Sequence, residues 1–286
     1  MGGNSSSEPE PCPTFDQPWR KIDWGSKEEN LRFATEYQPL KDDIKHLRIL
    51  LYGPVGAGKS SFINSISTAL TSRMVLTAAV NANNKAKSFT NQYTTHKILK
   101  GRGVYCSFIC NDIMGLEDGE DVGVRAEDIK LAMEGHVEDG YKFNPASSLS
   151  KDDNKYRPCP TPDEKVHVLV CVLNANALEI KPSVIQKMKA IRETARDMGI
   201  PQLAIATQID EACPEIQKDL KNVYKSKHLR EKMCFLSSNV GIPLNCIFAV
   251  KNYSDGDNNC DDNMDTLILT ALRSMLNVGD DFINAM

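Results

Sequence analysis

The run "LRILLYGPVGAGKSSFINSI", residues 47–66, decides the fold. An apolar segment ends at Gly53, a glycine-punctuated turn follows, and Lys59-Ser60 opens a stretch with Phe62, Ile66 and Leu70 four apart, the spacing of one helix face. Gly53-Pro54-Val55-Gly56-Ala57-Gly58-Lys59-Ser60 matches G-x-x-x-x-G-K-[ST] at every fixed position. The glycines let the backbone curl until successive N–H groups point into one concavity. The concavity leads into a helix N-terminus, whose unpaired N–H groups and dipole favour phosphate. Lys59 is expected at the β- and γ-phosphates and the Ser60 hydroxyl on Mg²⁺, with Ala57 and Ser61 completing the cradle. An ordinary Gly-rich turn would not need the Lys-Ser pair. The turn predicts a nucleoside di- or triphosphate held with Mg²⁺.

Strand-like and helix-like runs alternate on the C-terminal side of that turn. "THKIL", "VYCSFICN", "VHVLVCVLN", "QLAIAT" and "NCIFAV" read as strands, the third fully buried because it is apolar without alternation. "VRAEDIKLAMEGHV" reads as a helix, as does "SVIQKMKAIRETARDMGIP", with Val184, Met188, Ile191, Ala195 and Met198 on one stripe and a stop at Gly199 and Pro201. A last helix is expected from about Asn263 to Leu276. The alternation implies a mostly parallel sheet flanked by helices, a three-layer sandwich of the P-loop NTPase, GTPase-like kind. Three parts are expected: a disordered tail over residues 1–18, a helical extension over 19–46, and a P-loop G domain over 47–286. Trp19, Trp24, Leu31 and Phe33 are placed to dock the extension on the larger body. The polar stretch from Asn144 to Glu164 is long for a loop, and such loops are often lids or disordered.

Composition narrows the function classes. Hydrophobic residues make up 41% and charged ones 25%, as in a globular protein with a full core. The net charge of −4, with no face-long Lys/Arg cluster, argues against a nucleic-acid partner. No apolar run reaches bilayer length and no signal-peptide core follows Met1, so a cytoplasmic protein is expected. Met1-Gly2 with Ser6 fits the N-myristoylation pattern, and Cys12 offers a second lipid site, but Glu8 and Glu10 oppose an anionic surface. A membrane partner is therefore expected only if Gly2 is acylated. The nine cysteines, an odd number, read as reduced thiols, and Cys106-x3-Cys110 lacks two further ligands for zinc. "DGDNNCDDN" does not make a calcium loop, since Cys260 stands where Gly is needed and Thr266 where a bidentate acid is needed. It reads instead as an acidic loop capping the last helix.

Three later segments bear on the base and the γ-phosphate. Asp112 and Gly115 in "NDIMG" have D-x-x-G spacing at a strand end, suited to holding Mg²⁺ through water and offering an N–H to the γ-phosphate. Thr207-Gln208-Ile209-Asp210 resembles the [NT]-[KQ]-x-D guanine motif of GTPases. A carboxylate there accepts the N1–H and 2-amino hydrogens of guanine, whereas adenine would leave it unpaired. A plain helix cap at Asp210 is the competing reading. Ala249-Val250-Lys251 resembles the S-A-K element, whose backbone N–H meets the guanine O6 while the Lys stem packs on the ring. The order of these elements favours GTP or GDP over ATP. Thr90, ahead of Thr94 and Thr95, is the expected third metal-side ligand.

With these residues in place, the chain resembles the interferon-induced protein 44 family from about "PWRKIDW" to its end. The strings "LRILLYGPVGAGKSSFINSI", "DIMGLED", "EDIKLAMEGHVEDGYKFNP" and "LILTALRSML" carry the resemblance. It implies a cytoplasmic guanine-nucleotide-binding protein of the vertebrate innate antiviral response. Longer family members carry an additional N-terminal domain for which 286 residues leave no room, so functions residing there are not expected.

Hydrolysis is a separate matter. Small GTPases place Gln directly after D-x-x-G to orient water, and this chain has Leu116; Val55 stands where they favour Gly. A water-positioning group must come from elsewhere, and Glu117, Asp118, Asn91 and Gln92 are candidates by chemistry. Slow or partner-dependent hydrolysis is expected, in a GTP-dependent interaction switch with a protein partner or self-association. An ATP-binding P-loop enzyme such as a small-molecule kinase is the alternative, and it would need a basic lid that is not evident.

Overall fold

A computed structural model of the chain describes residues 13–75, 78, 91–101, 103–119, 122–176, 180–254, 256–257 and 259–286. The apolar run ahead of the phosphate turn is strand β1 (Leu47–Tyr52), preceded by helix α1 (Lys27–Glu36) and followed by α2 (Lys59–Thr71). An antiparallel pair comes next, β2 (Thr94–Gly101) and β3 (Val104–Asp112), then α3 (Ala126–Met133) and β4 (Val168–Asn174). The chain continues through α4 (Pro182–Asp197), β5 (Gln202–Thr207), the short α5 (Ile209–Ala212) and α6 (Pro214–Lys218), and α7 (Lys227–Val240). It closes with β6 (Ile247–Ala249) and α8 (Asp262–Ala285).

The six strands form one sheet in the order β2-β3-β1-β4-β5-β6, parallel throughout except for β2. β1 and β4 lie at its centre, where helices cover both faces, which explains their largely apolar sequences. Helices α1, α2 and α8 pack together on one face; α3, α4 and α7 pack together on the other. This is the three-layer P-loop NTPase sandwich.

Several elements differ in extent from the sequence reading. Of the span from Trp19 to His46, only α1 is helical, and α7 was not read at all. Helix α8 runs on to Ala285, past Gly279. That glycine permits close approach: an added Cβ would lie 2.6 Å from both Leu47 Cδ1 and Val168 Cγ2. Asp261 caps α8, accepting from the N–H groups of Asn263 and Met264 at 2.9 Å each. The stretch from Asn144 to Glu164 is tied down rather than lid-like. The Leu149 N–H donates to buried Asp128 at 2.8 Å, and Arg157 pairs with Glu164 at 2.8 Å.

Candidate functional site

The parallel strands end at one edge of the sheet, and the described residues singled out by sequence sit at or just beyond it. Ligands bind open α/β sheets at this edge, where fanned connections leave a crevice. The turn after β1 adopts backbone angles that side chains resist, with φ of +149° at Gly53, +75° at Gly56 and +86° at Gly58. A Cβ on Gly53 would stand 2.0 Å from the Val172 carbonyl oxygen of β4, so the turn can cross the sheet end only as glycine. Ala57 is buried beneath it, and Ser60 and Ser61 lie in the first turn of α2.

Lys59 is 7% exposed, and its Nζ donates to the carbonyls of Gly53 and Pro54 at 3.2 Å each. Burial lowers its pKa, and the nearby Asp112 carboxylate opposes that shift. The Ser60 hydroxyl donates to Asp112 Oδ2 at 2.5 Å, so the two metal-side candidates from α2 and β3 meet. A hydroxyl and a buried carboxylate are the hard oxygen donors that Mg²⁺ takes, and their contact fits that ion. Thr90, the third such candidate, lies outside the described residues. Thr94 and Thr95 belong to β2, where Thr94 pairs with Asp112.

Past Asp112 the chain lies directly on the phosphate turn. The Leu116 N–H donates to the Gly53 carbonyl at 3.0 Å, and the Val55 N–H donates to the Leu116 carbonyl at 3.2 Å. Gly115 allows this contact, since a Cβ there would be 2.6 Å from Val55 Cγ2 and 2.8 Å from its Cα. The Leu116 side chain is buried. Beyond it Lys187 of α4 donates to the carbonyls of Glu117 and Val122 at 3.0 and 2.9 Å, and Ser183 donates to Asp118. Asn91 and Gln92 pair through their backbones with Phe143 and Lys142.

At the other end of the crevice, β5 and β6 bring Asp210 and Lys251 together, 3.3 Å apart. Gln208 reaches this bend with φ +54°, in the left-handed region that few non-glycine residues enter. Its Oε1 is buried and makes no hydrogen bond among the described residues. Thr207, fully buried, donates its hydroxyl to the Ala57 carbonyl at 2.7 Å, tying the base end to the phosphate turn. The Val250 N–H donates to the Ala206 carbonyl at 2.8 Å. That bond joins the end of β6 to β5, beside the crevice where Val250 is expected. Sequence reasoning missed Asn252, whose Nδ2 donates to the Gly58 carbonyl at 3.2 Å. Its only sequence signal is a polar residue just past Lys251, too common to be read.

A family model described as RNA helicase matches residues 49–102, the stretch holding most of β1, the phosphate turn, α2 and β2. Interferon-induced protein 44-like of Homo sapiens is 30% identical over 250 residues, covering 87% of this chain and 55% of that protein. Interferon-induced protein 44 of Pan troglodytes is 33% identical over 249 residues, covering 86% and 55%. Over this stretch the chain is similar to the interferon-induced protein 44 proteins. It spans about half the length of the curated relatives it matches. Among solved structures, Toc33 from Arabidopsis thaliana in complex with GDP and Mg²⁺ superposes with a TM-score of 0.50. That match covers 90% of this chain and 96% of Toc33 at 16% identity, a likeness of fold alone. Among the described residues, no helix is long and apolar enough to cross a membrane.

Proposed function

We propose that this relative of interferon-induced protein 44 binds guanine nucleotide with Mg²⁺ and acts as a GTP-dependent interaction switch in the cytoplasm, in interferon-induced antiviral defence. The observation that carries the guanine reading is the Asp210–Lys251 pair at the ends of β5 and β6, joined to the phosphate turn by Thr207. A carboxylate there would accept the two guanine donors that adenine lacks, and the Lys251 stem would cover the ring. Lys59 and the turn N–H groups would hold the phosphates; Ser60 and Asp112, with Thr90, would hold the ion. The GDP and Mg²⁺ bound by Toc33 accord with this assignment.

Hydrolysis, in this reading, is slow or depends on a partner. Leu116 is buried and its backbone is bonded on both sides to the phosphate turn, so it cannot orient water. A GTP-bound state that persists suits a switch read by a protein partner or a second copy. Equilibrium binding of GTP, GDP and ATP with Mg²⁺ to the intact chain and to Asp210→Ala tests the assignment. GTP and GDP are expected to bind, ATP to bind at least ~100-fold more weakly, and the variant to lose that preference. Equal binding of ATP, unchanged in the variant, would sink the guanine reading and favour an ATP-handling enzyme.

A further inference from the structure

The segment just past Lys251 is fastened at several points, one of which lies far from the crevice. The Tyr253 N–H donates to Ser65 Oγ of α2 at 2.9 Å. Its hydroxyl donates to Asp265 Oδ1 of α8 at 2.9 Å and accepts from the Asp261 N–H at 2.7 Å. Asp265 is 0% exposed, and its second oxygen faces the Lys27 ammonium 3.0 Å away. Lys27 is the first residue of α1, in the 19–46 segment ahead of the phosphate turn. The same ammonium also takes the exposed Asp262 carboxylate at 2.5 Å.

A buried carboxylate is tolerated while its counter-charge and hydrogen bonds are in place, and becomes costly when one partner goes. Asp265 has two such supports, the Lys27 ammonium and the Tyr253 hydroxyl. Without Lys27 the carboxylate must take up a proton or turn towards water, and either change loosens its hold on Tyr253. Tyr253 comes after Lys251, which pairs with Asp210, and directly after Asn252, which holds the Gly58 carbonyl of the phosphate turn. Both ends of the proposed nucleotide thus lean on a segment braced from α1. We infer that Lys27 is a positioning residue for the nucleotide site, acting through Asp265 and Tyr253 on Lys251 and Asn252. The inference rests on the guanine-nucleotide reading of that site. Because such coupling is reciprocal, bound nucleotide holds α1 more firmly in place.

The test is GDP dissociation from the 286-residue chain, followed with a fluorescent GDP analogue and Mg²⁺, with urea unfolding of each variant alongside. Lys27→Met and Tyr253→Phe are each expected to speed dissociation roughly 5-fold or more, the low end of measured coupling between sites. Lys27→Arg restores the slow rate because the charge returns. The double variant is no faster than the faster single one, since both act along one path. A bond that serves the fold alone lowers the urea midpoint while leaving dissociation from folded molecules unchanged, and that result overturns the inference. Tyr253→Phe, which keeps the ring, supplies the answer if Lys27→Met does not fold. Failure of the unaltered protein to bind GDP removes the guanine reading and the inference together; normal binding with unresponsive variants removes the inference only.

Discussion

Replacing Thr207 with Val keeps the volume and removes one hydroxyl. In the native chain that hydroxyl donates to the Ala57 carbonyl at 2.7 Å, with the Leu173 carbonyl at 3.1 Å. A hydroxyl has one proton, so the shorter contact is the one lost. Thr207 is fully buried and Ala57 is 1% exposed, so water does not take the proton's place. A buried carbonyl left without its donor costs about 1–3 kcal/mol, more than the net worth of an average hydrogen bond. Part of that cost falls on the fold, and urea unfolding of the nucleotide-free protein should show a loss within that range. The remainder falls on the phosphate turn, whose carbonyl side is no longer held in line. A loss of about 1.4 kcal/mol there corresponds to a Kd for GDP roughly 10-fold higher. Preference for guanine over adenine should survive, because the hydroxyl is spent on the turn and the proposed reading assigns the base to Asp210. Thr207→Ser keeps the donor and is expected to bind within about twofold of the native protein, an energy well under one hydrogen bond. If Thr207→Val binds GDP and unfolds like the native chain, the link between base end and phosphate turn carries no weight.

Two further outcomes follow from buried groups. His167 is 0% exposed, accepts the Arg48 N–H at Nδ1 at 2.9 Å, and sets Nε2 3.1 Å from the Pro162 carbonyl, so the folded state holds the neutral ring. Burial pushes its pKa down to about 4, outweighing the Pro162 carbonyl, which favours the charged ring. The unfolded chain binds that proton near pH 6.5, so this contribution is full above 6.5 and lost as pH falls towards 4. The loss reaches about 3 kcal/mol at most. Urea unfolding from pH 7 to 4.5 should show this decline, and His167→Gln should flatten it; equal slopes in the two proteins would refute the assignment. Leu116→Gln introduces the residue that small GTPases use, but into a buried position with its backbone already bonded. It is expected to cost about 1–3 kcal/mol of stability and to leave single-turnover GTP hydrolysis within about threefold of native. A large gain in rate would show that the Leu116 backbone contacts open in the nucleotide-bound protein.

The fold was legible wherever local chemistry repeats a physical demand. The phosphate turn needs glycines and Lys-Ser at fixed spacing, and "VHVLVCVLN" could be nothing but an inner strand once helices flanked it. Helix α4 was readable to its stop, since Gly199 takes φ +71° where a side chain would be strained. The misses have physical causes too. The sequence places the end of helix α8 near Leu276, whereas the structure continues it to Ala285 and uses Gly279 to bring the helix onto β1 and β4. The long polar segment before β4 looked free because its ties, Asp128 to Leu149 and Arg157 to Glu164, give no periodic signal.

By itself the sequence determined the anion-binding turn, the parallel sheet that presents it, and the kinship with the interferon-induced protein 44 proteins. Those features are written in short spans where neighbouring residues satisfy one geometric requirement. Only the tertiary structure decided what surrounds the turn: Thr207 on Ala57 across 150 residues, Asn252 on Gly58 across 194, and Lys27 on Asp265 across α1 and α8. It also spends the Val250 N–H on the sheet and the Leu116 backbone on the turn. Such partners meet because hydrophobic burial packs the layers, and which polar groups then face each other depends on register and depth that no local pattern encodes.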